Sequence, residues 1–174
     1  MFIKNLNAYK LETKLAKTEL TEALESKHAR EPGTQELSAY GFTAPVKQSS
    51  ELVIEAGDYM LICAEENKRD LPTGVVKAEV DKQVEKIEHD QCRKVYKKER
   101  DQIKDEVIMR LLPSAFIKTS RIYAIICNKS SMIYIGHSSK TKCEEMIDAI
   151  RSVIGSLPVR PLEFNHDPRA AMTR

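Results

Sequence analysis

The feature that most constrains the fold is the segment between Pro72 and Pro113, which contains no further proline and a single glycine, Gly74. Apolar residues recur there at near-helical spacings, first at Val76, Val80, Val84 and Ile87 and then at Ile103, Val107, Met109 and Leu111. Because an α-helix repeats every 3.6 residues, each set predicts one narrow apolar stripe along a helix. We therefore predict two helices within residues 72–112, forming either a protruding hairpin arm or an ordinary pair of surface helices.

Short apolar runs on both sides of this segment predict the strands of a sheet. The predicted strands are residues 2–11, 51–55, 59–66, 116–128 and 131–136, with helices at 13–27 and from Thr141 to Gly155, an extended segment at 157–162, and a loop-rich stretch at 34–50. The predicted fold class is α+β: an antiparallel-rich sheet with helices on one face, plus a protruding helical hairpin arm.

These elements also predict how the chain is divided into domains. Residues 1–70 and 114–164 are expected to form one central α/β domain, because strand patterns occur on both sides of the helical segment. Residues 71–113 are the inserted arm, and residues 165–174 form a tail.

The sequence contains no pattern typical of a catalytic or cofactor site. It lacks the glycine-rich phosphate loops and the G-x-S-x-G nucleophile turn. The four histidines and four cysteines do not stand at the spacings of metal ligands. Asp101 and Asp105 lie near Lys98 and Lys104, so ordinary ion pairs of a helix explain these carboxylates better than a metal site does. We therefore predict no enzymatic activity, no catalytic residue, no cofactor and no bound metal.

No apolar run approaches the length of a membrane span or of the core of a signal peptide. This predicts a cytoplasmic protein without a membrane partner.

Positive charge is concentrated in one part of the chain, although the net charge is only +2. Residues 93–104 carry a net charge of +4, from Arg93, Lys94, Lys97, Lys98, Arg100 and Lys104 against two acids, and a weaker cluster follows at Lys118, Arg121 and Lys129. Like charges in one segment repel each other unless an anionic partner compensates them, so these residues are candidate contacts to DNA phosphates. A solvated helix tip without a partner is the alternative. The aromatic content of 6% without tryptophan argues against a stacking platform for single strands.

Five motifs resemble, in their order along the chain, those of the RdgC family of recombination-associated proteins. The longest is KDEVIMRLLPSAFIKTS at residues 104–120, and the others are FIKNL at 2–6, MLICA at 60–64, LP with VVK at 71–77, and GSLPV with PL at 155–162. None of these motifs carries a catalytic group.

The resemblance implies a non-enzymatic protein that encloses double-stranded DNA within a ring-shaped homodimer. It further implies little sequence preference, a nucleoid-associated location in the cytoplasm, and restraint of the RecA recombinase, a further partner, by occupation of DNA. By the same analogy, Phe116 is expected at a dimer contact that closes the ring, and packing in the core is the alternative for this residue. Family members are longer and have a further C-terminal domain, which is expected to begin near residue 174.

A second function remains open at this point. The chain is alternatively a protein–protein interaction module whose helical arm docks a recombination partner and has little affinity for DNA.

Overall fold

The computed structural model describes residues 4–162, which form two compact units. The first unit consists of residues 4–29, 41–65 and 121–162, and the second consists of residues 30–40 and 66–120. The predicted tail at 165–174, together with residues 2 and 3 of the first predicted strand, lies outside the described part of the chain.

The described elements are four helices and seven strands. In chain order they are β1 (Asn7–Leu11), α1 (Lys17–Glu25), β2 (Ser38–Thr43), β3 (Val53–Ala56), β4 (Tyr59–Asp70), α2 (Thr73–Gln91), α3 (Lys97–Leu111), a 3-10 turn (Leu112–Ser114), β5 (Phe116–Cys127), β6 (Met132–Ile135), α4 (Lys140–Ile154) and β7 (Val159–Pro161). The strands pair in the order β2-β4-β5-β6-β1-β7, with β3 beside β4. The α+β class predicted from the sequence is confirmed.

The first unit buries alternate residues of antiparallel strands. Ile126 of β5 lies opposite Ile133 of β6, and Ala124 lies opposite Ile135; all four side chains are fully buried. Because side chains alternate between the two faces of a strand, these pairs line a single face of the sheet. Helices α1 and α4 contact each other, and each contributes a buried apolar face. The core of this unit therefore consists of one sheet face and two amphipathic helices.

The second unit contains the predicted helix pair. Val76, Val80 and Val84 of α2 form a buried cluster with Ile103 and Val107 of α3. Helix formation at both predicted stripes is confirmed. The assignment of Met109 to the second stripe is wrong, because its side chain is 68% exposed. Residue 109 lies about 200° around the helix from Val107, and Ile108 packs against the cluster instead.

The largest error of sequence interpretation concerns β2, which lies within the predicted loop at 34–50. It pairs with β4 and also bonds to residues 27–29: the Phe42 amide donates to the Lys27 carbonyl at 2.8 Å, and the Ala29 amide donates to the Phe42 carbonyl at 2.8 Å. Gly41 at the centre of this strand weakens the local strand signal. A strand of this kind is stabilised by its neighbour and not by its own propensity.

The bounds of two other strands also differ from prediction. Strand β4 continues to Asp70, four residues beyond its predicted end, through a charged segment that lacks an apolar signal. Strand β1 begins at Asn7, so residues 4–6 of the predicted strand lie before it. Across residues 4–162, every helix is too short or too polar to span a membrane.

Gly41 provides a test of the close approach at β2. A Cβ atom at this position would lie 2.6 Å from the backbone of Ala29 and from the His28 carbonyl oxygen. Because backbone cannot move aside as a flexible side chain can, we expect Gly41→Ala to lower the free energy of unfolding by about 1–3 kcal/mol, measured by urea denaturation.

Gly74→Ala, on helix α2, is the matched control, since nothing lies within 4 Å of the place that its methyl group would take. Its stability should be unchanged or raised by up to about 1 kcal/mol, because alanine favours a helix over glycine. Equal stability of the two variants would contradict the proposed backbone contact.

Candidate nucleic-acid interface

The predicted basic segment lies at the connection between α2 and α3 and along α3. Arg93 and Lys94 belong to the connection, residues 92–96, and the other four basic side chains are on α3. The connection is held in place because the Val95 amide donates to Glu88 Oε1 at 2.9 Å and Val95 packs against the apolar cluster of the helix pair. Cys92, in the left-handed backbone conformation, ends α2. A defined turn therefore presents the basic residues.

Two of these six basic residues form ion pairs with carboxylates of the same unit. Arg93 forms a bidentate ion pair with Glu99, with Nη–Oε distances of 2.6 and 2.5 Å. The hydrogen bonds of this pair raise the pKa of Arg93 and lower the pKa of Glu99. Arg100 pairs with Asp81 of α2. Both guanidinium groups therefore have a partner inside the protein before any ligand arrives.

The five lysines of this unit that the sequence predicts as DNA contacts differ from these arginines. They are Lys94, Lys97, Lys98 and Lys104, together with Lys118 on β5, and all five are exposed. In the described part of the chain, no carboxylate lies within ion-pair distance of any of the five. Lys97 and Lys104 are seven residues apart and therefore lie on the same side of α3, about 10 Å apart along the helix axis. We refer to these five residues as the free lysine set.

The two remaining predicted contacts belong to the first unit, and both are paired. Arg121 contacts Glu65 on the neighbouring strand at 2.8 Å, and this hydrogen bond raises the pKa of Arg121. Lys129 lies 3.5 Å from Asp58. The structure thus gathers seven of the nine predicted residues in the second unit, and five of those seven lack an internal partner among the residues described.

Phe116 is the first residue of β5 and is 87% exposed. Its packing in the core, the alternative considered from the sequence, is therefore wrong within the described residues. A phenylalanine in this position leaves its apolar ring open to solvent.

Sequence reasoning missed Arg69, which organises the backbone around this site. Its side chain is buried and donates to five carbonyl groups, those of Leu112 (3.0 Å), Pro113 (3.2 Å), Ala115 (3.4 Å), Pro32 (3.3 Å) and Gly33 (3.3 Å). Arg69 therefore fixes the backbone between the end of α3 and Phe116. No periodic pattern marks it, since it stands in the polar segment NKRD.

The residues between 4 and 162 contain no group of three or more His, Cys, Asp or Glu side chains placed to hold a metal ion.

Arg69→Gln tests this role, because glutamine is too short to reach both sets of carbonyl groups. We expect the free energy of unfolding to fall by about 2–4 kcal/mol, since hydrogen bonds from a charged donor contribute about 1.5–3 kcal/mol each and their losses are not additive. Lys68→Gln, at the exposed neighbouring position, should change it by less than about 0.5 kcal/mol. Urea denaturation measures both, and equal effects of the two would contradict an organising role for Arg69.

Comparison with known proteins is consistent with the motifs noted above. A model of the RdgC protein family, described as "Putative exonuclease, RdgC", matches residues 1–174. The chain is 45% identical over 177 residues to the recombination-associated protein RdgC of Pseudomonas putida (strain GB-1), covering 99% of this chain and 58% of that protein. The corresponding proteins of Pseudomonas entomophila and Pseudomonas aeruginosa are 44% and 42% identical, with the same coverage. The chain thus spans 58% of the length of these curated relatives.

Proposed function

Because this chain belongs to the RdgC family, we propose that it acts in recombination by binding double-stranded DNA without sequence preference, as part of a ring- or clamp-forming homodimer. Occupation of the duplex in this way would restrain the RecA recombinase, as the family resemblance implies. Such a protein would be found with the nucleoid.

The observation that carries this proposal is the free lysine set. Five exposed ammonium groups in one compact unit repel one another, and none has a carboxylate partner within residues 4–162. Phosphate groups would remove that repulsion and release condensed counterions from the duplex. Ammonium–phosphate contacts position a protein on DNA but carry no sequence information, which accounts for the absence of sequence preference.

The proposal is of binding without strand cleavage, although the family description names an exonuclease. A metal-dependent nuclease needs several carboxylates close together to hold Mg²⁺. Two acids of the same unit are instead engaged as ion-pair partners, Glu99 with Arg93 and Asp81 with Arg100.

The direct test reverses four members of the free lysine set, Lys94, Lys97, Lys98 and Lys104, to glutamate. We expect the affinity for a duplex to fall on the order of 100-fold at low salt, equally for unrelated sequences, with a shallower dependence of log affinity on log salt. Fluorescence anisotropy with two labelled duplexes of different sequence, over a series of salt concentrations, measures each of these quantities.

The matched control reverses four exposed lysines of the first unit, Lys10, Lys14, Lys47 and Lys140, and so changes the net charge by the same amount. This control should retain most of the affinity for the duplex, since it changes the long-range electrostatic field of the chain but none of the proposed phosphate contacts. Undiminished binding by the variant of the free lysine set would contradict the proposed interface. Degradation of an end-labelled duplex by the wild-type chain in the presence of Mg²⁺ would contradict binding without cleavage.

The homodimer rests on a separate observation, the exposure of Phe116. An 87% exposed phenylalanine costs free energy in water and gains about 1.5–3 kcal/mol when a partner covers it. Because the two copies in a symmetric dimer use the same surface, one such residue contributes twice to the contact.

Phe116→Ser should therefore raise the dimer dissociation constant at least tenfold, measured by sedimentation equilibrium with and without duplex DNA. Met109→Ser is the control, since Met109 is also an exposed apolar residue of the second unit, and it should leave the dissociation constant unchanged. A purely monomeric wild-type chain, or an identical dissociation constant for Phe116→Ser, would contradict this contact.

A further inference from the structure

All three nitrogens of the Arg93 guanidinium group already have an acceptor in the second unit. The Nε donates to Gln91 Oε1 at 2.7 Å, and the two Nη atoms donate to the two carboxylate oxygens of Glu99 at 2.6 and 2.5 Å. This fork of N–H groups is the part of an arginine side chain that binds a phosphate, through two parallel hydrogen bonds of the same kind. The Glu99 carboxylate therefore takes the place that a phosphate oxygen pair would take on Arg93.

Glu99 lies inside the basic segment that is proposed to face DNA. It is on the first turn of α3, directly after Lys97 and Lys98. The dipole of a helix stabilises a negative charge on its first turn. The hydrogen bonds from Arg93 also lower the pKa of Glu99, so the carboxylate is charged at neutral pH. An anion that belongs to the protein is thus present among the cations of the candidate interface.

The pair between Arg93 and Glu99 is accessible to an incoming ligand. The two side chains are 44% and 30% exposed. An exposed ion pair contributes at most modestly to stability, so its partners can exchange. Because a phosphate offers the guanidinium group the same two oxygen acceptors, the Glu99 carboxylate and a phosphate of the DNA backbone compete for one group.

We propose that Glu99 is an internal competitor of the DNA phosphates, which withholds Arg93 from the duplex and so lowers the affinity of the chain for DNA. This inference rests on the proposed DNA binding and adds to it a residue that limits the affinity. Because affinity differences between related complexes lie mostly in the dissociation rate, Glu99 is expected to accelerate release from DNA.

The pair between Arg100 and Asp81 differs from this one in its structural role. Asp81 is on α2 and Arg100 is on α3, so their contact joins the two helices. The pair of Arg93 and Glu99 instead joins the connection to the adjoining first turn of α3. Glu99 is therefore the carboxylate whose charge can be removed without removing a contact between the helices.

The experiment uses the full chain with the substitution Glu99→Gln, which keeps the length of the side chain and removes its charge. We expect the affinity for a labelled duplex to rise about fivefold at low salt, measured by fluorescence anisotropy. The slope of log affinity against log salt should become steeper by about 0.9, the value for one additional phosphate contact. Since the expected result is a gain of binding, partial unfolding of the variant cannot produce it.

Three further variants separate the release of Arg93 from the change of net charge. Glu106→Gln removes the same charge from an exposed position two turns further along α3, where no basic group of the described residues lies within ion-pair distance, and it should raise the affinity less than twofold. Glu99→Gln combined with Lys47→Gln, at an exposed lysine of the first unit, restores the wild-type net charge and should keep the gain. Glu99→Gln combined with Arg93→Gln also restores the net charge but should lose the gain.

Equal affinities of Glu99→Gln and Glu106→Gln, or of the two double variants, would overturn the proposal, because Glu99 would then act only through net charge. An unchanged salt slope in Glu99→Gln would also overturn it, since no phosphate contact would have been gained. Each of these results leaves duplex binding by the wild type intact. Absence of duplex binding by both the wild type and Glu99→Gln would instead overturn the proposed function together with this inference.

Discussion

The second unit depends on the hydrogen bonds that one buried arginine makes to backbone carbonyl groups. The last carbonyls of a helix have no partner within the helix and carry its negative dipole end. Arg69 donates to the carbonyls of Leu112 and Pro113, just beyond α3, and to those of Pro32 and Gly33 in the loop before β2. A single guanidinium group thus donates hydrogen bonds to the backbone carbonyls of two segments that are far apart in sequence. The end of α3 and the segment leading to Phe116 are thereby attached to the loop before β2.

A second constraint is the pairing of charges within the helix pair. Arg100 pairs with Asp81, and Arg110 pairs with Glu79, so ion pairs join α2 to α3 along their exposed sides. Hydrogen bonding to Lys82 and the nearby Arg110 lower the pKa of Glu79. Exposed ion pairs of this kind contribute little to stability, and the buried valine and isoleucine cluster holds the helices together. The effect of the ion pairs is instead to determine which cations remain available to a ligand.

Much of the fold could be predicted from periodic patterns. The two stripes at Val76 and Ile103 identify the helix pair, and the apolar runs ending at Cys127 and Ile135 identify β5 and β6. Strand β2 could not be predicted in this way, because Gly41 is required by the backbone of Ala29 and gives no strand signal of its own. Met109 was wrongly assigned to the apolar stripe because a spacing read from the sequence is accurate only to about one residue. In the packed helix, a shift of one residue turns a side chain by about 100°, so Ile108 faces the cluster and Met109 faces solvent. The sequence identifies the segment that carries the basic residues of the candidate site, but not which of them are engaged by carboxylates of the second unit.

The amino-acid sequence by itself determined most of the elements, the family and the concentration of positive charge near residues 93–104. These properties are local, since periodicity, motif order and charge density are read along the chain. Only the tertiary structure decided that Arg93 and Arg100 are engaged by Glu99 and Asp81, whereas Lys97 and Lys104 have no such partner among the described residues. It also decided that Arg69 is buried. The physical reason is that a charge or a donor acquires its role from the groups that folding brings to it, and these lie far away in sequence.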